Sequence, residues 1–282
     1  MIGSSILTQK LNKDFEVELA IKDEHILELR DKIFTLLRQG SEDGIHYSKL
    51  VLENLSLSVA NVAIHTTNSC WQSSVKDLVD FGLNNSPREC FIALNILKNI
   101  CVTHFTKVFN QKTTQLLKRY LNENVGAVLD MLAQILSQGG NGQLPHEVYL
   151  ECFSVAKYWC EFSKKSFVIN RQLVDVLFTL LHSEPSVKIL KKVIKVLIKI
   201  LSTNQHVKAL SNYRFEQATH PDFLPPQDLA FLNQLVDYLY SQREKYSEAT
   251  RLNFSHDDED EVNADKAVFA SKFTALLLAV AQ

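Results

Sequence analysis

The sequence predicts an all-α protein whose helices pair and stack into an α–α superhelix, and three observations carry that prediction. Apolar residues recur at three- and four-residue steps along most of the 282 residues, and no segment alternates between hairpin turns as a half-buried strand does. Turn-formers are scarce, since 8 Gly and 6 Pro are too few for a sheet protein of this length. Some helices also carry two apolar stripes. Leu55, Val59, Val62 and Ala63 form one, and Leu57, Ala60 and Ile64 form another on a different face. A helix on the outside of a globule needs one stripe. A second is covered when the helix lies between neighbours in a row.

Helices are expected at 23–38, 46–66, 73–82, 87–101, 105–121, 123–138, 145–162, 168–182, 186–202, 226–253 and 264–281. "HILELRDKIFTLL" carries the first, and the two-striped segment around "LSLSVANVAIH" the second. A polar break with Trp71 leads into the short "SVKDLVDFG". Pro87, Pro145, Pro185 and Pro225-Pro226 each stand just before or at the start of a periodic segment, where the missing N–H is harmless. Ser86 supplies the cap before the first of these. "LKKVIKVLIKIL" repeats the two-stripe character, with Leu190, Ile194, Leu197 and Leu201 on one side and Val193, Val196 and Ile200 on another. Connections are short except for the glycine-rich "GGNGQL" and the irregular 203–226.

First helices start near 46, 87, 145 and 186, each followed by a second. Two of these steps are close to 40 residues, the length of a HEAT or armadillo unit. Residues 1–282 therefore read as one HEAT/ARM-like solenoid segment of about five helix pairs, with an irregular inter-repeat insertion near 203–226.

Composition narrows the function. With 46% hydrophobic and 22% charged residues the chain is expected to be ordered. A net charge of −2 excludes the broad positive field of a general nucleic-acid or membrane-surface binder. Cys70, Cys90, Cys101, Cys152 and Cys160 are an odd number at irregular spacings, mostly among apolar neighbours, which suits a reducing compartment. Neither a signal-peptide core nor a membrane-length apolar run is visible, so the protein is expected in the cytosol or nucleus.

Chemistry finds no foothold. The nine histidines form no H-E-x-x-H or Cys-x-x-Cys set, so neither metal nor cofactor is expected. Cys160 has no base nearby in sequence, and "SQGGNGQ" follows a helix without the strand or lysine of a phosphate loop. The chain is expected not to be an enzyme.

The order and spacing of the segments resemble the N-terminal third of a karyopherin-β nuclear transport receptor, the transportin-SR branch above all. "HILELRDKIFTLL" (25–37), "ENLSLSVANVAIH" with "CWQSSVKDLVDFG" (53–82), "ECFIALNILKNI" and "VYLECFSVAKYWCEF" (148–162) carry the resemblance. Trp71 and Trp159 fall on the family's two tryptophan positions. The resemblance implies a HEAT superhelix that binds the GTPase Ran and protein cargo, including arginine–serine-rich cargo, between cytoplasm and nucleus. It also implies that the chain is a segment of a longer receptor, beginning inside the second repeat and stopping near the seventh. A HEAT scaffold in an unrelated assembly is the alternative.

In that family picture the second helix of each pair meets the partner. The candidates are Lys76, Asp77, Asp80, Gln115, Lys118, Arg119, Asn170, Arg171 and Asp175, assigned by position. The acidic run Asp257, Asp258, Glu259, Asp260 and Glu261 attracts a basic partner or favours the start of the next helix. Trp71 and Trp159 read as fillers between helices rather than ligand-stacking residues. Lys188, Lys191, Lys192, Lys195 and Lys199 read as the solvated face of a repeat helix, with a grip on an acidic partner as the alternative.

Overall fold

The computed structural model describes residues 4–7, 9, 23–39, 48–139, 144–162, 171–183, 187–203 and 237. Among them the helices are α1 (Asp23–Gln39), α2 (Lys49–Thr66), α3 (Ser74–Leu83), α4 (Pro87–Thr106), α5 (Gln111–Gly139), α6 (His146–Trp159), α7 (Arg171–Ser183) and α8 (Val187–Thr203), besides a helical turn at 4–7. A 3-10 turn, Cys160–Phe162, follows α6. The described residues hold no strand.

Local chemistry accounts for the helix ends. Asp23 and Glu24 open α1 and Arg38 closes it, each charge opposing the helix dipole. At α4 the Ser86 hydroxyl accepts from the Glu89 N–H (3.3 Å), and the Glu89 carboxylate accepts from the Ser86 N–H (3.1 Å). With Pro87 just inside, this is a complete capping box. The Asn110 side chain accepts from the Thr113 N–H at 2.8 Å and starts α5.

Two sequence expectations are corrected here. Residues 105–121 and 123–138 do not form separate helices: α4 runs on to Thr106, the turn falls at Lys107–Asn110, and α5 is one helix of 29 residues. The expected break at Asn122 is spanned by the Arg119–Glu123 ion pair at 2.8 Å and by Asn124, whose amide donates to the Tyr120 carbonyl. An ion pair at that spacing reinforces a helix instead of ending it. The segment 145–162 is also not one uniform α-helix, because its end tightens into the 3-10 turn. The expected helices at 226–253 and 264–281 and the insertion near 203–226 lie outside the described residues, apart from Thr203 and Asp237.

The chain divides into two compact units, Met1–Trp159 and Cys160–Gln282. In the first, α2, α4 and α6 pack side by side in chain order, while α1 lies against α2. The second helices form the other layer. There α3 packs on α4 and on α5, and α5 packs on α6. Serial pairing of this kind is the all-α, HEAT/ARM-like solenoid arrangement. It also accounts for most of the two stripes: Leu55, Val59, Ala60, Val62, Ala63 and Ile64 are buried in α2, between α1 and α4, while Leu57 is only half-buried. Burying an average aliphatic side chain contributes about 1.5–3 kcal/mol, so either stripe left in water would be costly.

Polar groups join successive first helices. The Trp159 indole, fully buried, donates to the Leu97 carbonyl at 3.1 Å, and Lys98 pairs with Glu151. Gly82 lets α3 approach closely, since a Cβ there would meet the Met131 side-chain end and stand 3.0 Å from the Ala93 Cβ. In the second unit α8 packs on α7 and on the 3-10 turn, burying Val193, Ile194, Val196 and Leu197, and Lys199 pairs with Glu161.

Candidate partner-binding face

The second-helix layer of the first unit carries a groove between α1 and α3. Arg30, Phe34 and Arg38 recur at four-residue steps on α1 and so share one face. The Arg30 guanidinium lies 4.9 Å from the Trp71 ring centroid, and that of Arg38 lies 5.0 Å from the Phe81 ring. Phe34 stands edge-on to both rings, at 6.3 and 5.3 Å. The alternation of cation and aromatic groups suits the ring quadrupoles. Each guanidinium also has a carboxylate, Asp31 at 2.8 Å for Arg30 and Glu89 at 3.0 Å for Arg38. Thr35 and Asp77 complete the walls of a cavity of about 360 Å³. Asp77 is tied down, accepting from the Trp71 indole at 2.7 Å and from the Ser73 hydroxyl at 3.0 Å. Trp71 is buried, so its role as filler between helices holds.

A second polar link joins α3 to α5. The Tyr120 phenol oxygen accepts from the Val75 N–H at 3.0 Å and shares a hydrogen bond with the Ser74 hydroxyl at 2.9 Å. It thus satisfies one of the N–H groups left open at the start of α3. Burial pushes the Tyr120 phenol up, and the bonds to Ser74 and Val75 pull partly against it.

Lys76, Asp77 and Asp80 are exposed on α3, and Gln115, Lys118 and Arg119 on α5, so the packing of these helices puts both sets on one layer. Arg119 is paired with Glu123, which holds its guanidinium above the usual range. In the second unit Asp175 is exposed on α7, and Arg171 begins that helix. Asn170 and the acidic run Asp257, Asp258, Glu259, Asp260 and Glu261 lie outside the described residues.

Arg30, Phe34, Arg38 and Phe81 were not among the residues expected from sequence. The R-x-x-x-F-x-x-x-R spacing on α1 is a legible signal, but the rings it meets lie roughly 40 residues further along. At the other layer, Leu52, Pro87, Phe91, Ile92, Pro145 and Val148 line an apolar cleft of about 400 Å³ at the starts of α4 and α6. The groove and cleft can stack, pair charges and bury apolar groups, which is binding chemistry.

No helix among the described residues is long and apolar enough to cross a membrane. No curated protein matches the chain. A family model described as exportin 1-like protein matches residues 48–197, from just before α2 into α8. Spanning just over half of the 282 residues and covering the serially stacked helices, the match makes this chain a member of the exportin 1-like family, the karyopherin type of nucleocytoplasmic transport receptor.

Proposed function

We propose that the chain serves nucleocytoplasmic protein transport as a receptor segment of the transportin-SR-like branch, binding Ran in its GTP form and protein cargo, arginine–serine-rich cargo included. It works in the cytoplasm and nucleus by binding, with no cofactor and no catalytic step. The observation that supports this reading is the serial stacking of α2, α4 and α6 under a layer of second helices, within the region matched by the exportin 1-like family. That layer carries charged groups and a cavity, which suits a protein ligand. Stacked repeats touch only their neighbours and flex by small adjustments at each interface. Such flexing lets GTPase and cargo bind antagonistically, as a coupling free energy between two sites.

The test is capture of Ran by the full chain, with GTP-locked and GDP-loaded forms compared. Retention of the GTP form alone is expected, and cargo with arginine–serine repeats should be displaced by it. Equal capture of both nucleotide states, or of neither, would overturn the proposal.

A further inference from the structure

Of the 6 prolines in the sequence, Pro87 alone follows a serine or threonine, namely Ser86. The structure leaves this step open to a second protein. Residues 84–87 are exposed between α3 and the start of α4, and the Ser86 backbone is extended, with φ −65° and ψ 160°. An extended Ser-Pro step is the form in which proline-directed protein kinases take a substrate hydroxyl. Pro87 and Arg88 already belong to α4, but the first N–H groups of a helix have no intrahelical acceptor. Drawing this turn out breaks the capping box and the bond from the Cys90 N–H to the Ser86 carbonyl (2.9 Å). The rest of α4 stays in place, since helix ends open at far lower cost than the packed interior.

The surroundings of the hydroxyl set the consequence. Ser86 Oγ donates to one oxygen of the Glu89 carboxylate at 3.1 Å, and the other oxygen receives the Arg38 Nε–H at 3.0 Å. One carboxylate thus stands between the serine and a guanidinium of α1. Arg38 in turn covers the Phe81 ring at 5.0 Å, on the wall of the groove between α1 and α3.

We propose that Ser86 is the phosphate acceptor of a proline-directed protein kinase, and that its phosphate takes Arg38 from Glu89. In the transfer, Ser86 Oγ bonds to the γ-phosphorus of ATP and the bond from that phosphorus to the bridging oxygen breaks. ADP leaves, and the hydroxyl proton passes to the kinase's base. The phosphoserine carries a charge of about −1.5 to −2 and accepts from the N–H groups at the start of α4, where the dipole favours it. Like-charge repulsion expels the Glu89 carboxylate from the capping box. Arg38 follows the greater charge, forms charge-assisted bonds with the phosphate and leaves the Phe81 ring. The modification thereby reshapes one end of the groove. The assignment goes beyond the transport reading and depends on neither Ran nor cargo.

The experiment incubates the full chain with MgATP and a purified mitogen-activated protein kinase, read by intact mass and fragmentation. One phosphate on Ser86 is expected, with none on Ser86→Ala and a loss of transfer in Pro87→Ala. Melting of the phosphorylated chain then tests the exchange of partners. Phosphorylation is expected to raise the melting temperature of the parent by about 2 °C, and that of Glu89→Gln, where no carboxylate opposes the phosphate, by more. In Arg38→Ala the gain should vanish. Melting of each unphosphorylated variant, run alongside, shows that it is folded.

No phosphate on the native chain, whether or not a synthetic peptide of residues 80–93 accepts one, would overturn the proposal. So would a phosphate on another residue, unaltered transfer in Pro87→Ala, or an equal melting shift in the parent and Arg38→Ala.

Discussion

Burial governs the reactivity of the cysteines. Desolvation pushes the Cys90 thiol up to about 11 and that of Cys160 to about 12, and holds Cys101 and Cys152 well above the ordinary thiol range. Cys70 is only half-buried. Iodoacetamide at neutral pH is therefore expected to label Cys70 in the native chain and all five cysteines in urea; intact-mass measurement of several native labels would contradict this. His104 gives a pH signature. Burial and then the Lys118 charge lower its imidazole from the usual 6.5. The unfolded chain thus binds the proton more readily, so this contribution to stability is present above pH 6.5 and is lost as pH falls through the folded-state value. Melting scans should show a steeper fall from pH 7 to pH 5 in the parent than in His104→Gln.

The helices depend on a few contacts at their ends and crossings. Glu89 has two uses, one carboxylate oxygen closing the capping box of α4 and the other receiving Arg38 of α1. Glu89→Ala is expected to cost about 1 kcal/mol through the cap, with a further part of a kcal/mol from the ion pair. Arg38→Ala should lose only the smaller part, and urea titrations distinguish the two. At Gly82 an added Cβ would run into the Met131 side chain and stand 3.0 Å from the Ala93 Cβ. Gly82→Ala is expected to destabilise by about 1–3 kcal/mol, because Met131 is itself buried and has little room to move. Shortening that residue with Met131→Ala in the same chain should return part of the loss, which a clash elsewhere would not allow.

At the scale of the molecule, serial stacking makes a statement about additivity. Trp71 works between α1 and α3, whereas Trp159 ties α6 to α4. Replacing either with Phe removes an indole hydrogen bond, buried for Trp159 and part-buried for Trp71, and some volume, with an expected loss of about 1–3 kcal/mol each. The Trp71 indole bonds Asp77 on α3 and the Trp159 indole bonds Leu97 on α4, so the double variant should lose the sum to within about 0.5 kcal/mol. A coupling well above that in urea unfolding would mean that both repeats draw on one common core, contrary to a row of neighbours.

The sequence by itself determined the class of fold, because helical periodicity and capping are local properties. The two stripes of α2, the cap at Ser86 and the prolines opening α4 and α6 were legible from neighbours a few residues apart. Trp71 and Trp159 are both buried, as the filler reading expected, Trp159 from an apolar helix and Trp71 from the polar turn between α2 and α3. The position of the turn after α4 was not legible, since Thr106, Asn110 and Asn122 all resemble helix ends and only the bonds actually formed decide among them. The groove was beyond reach in another way. Arg30, Phe34 and Arg38 acquire Trp71, Phe81 and Glu89 as partners only when α1 lies beside α3 and the start of α4. Asp77 likewise reads as an open carboxylate until the indole of Trp71 reaches it. Pairings across distant segments come from packing, which spends conformational freedom over the whole chain and so is written in no single stretch of it.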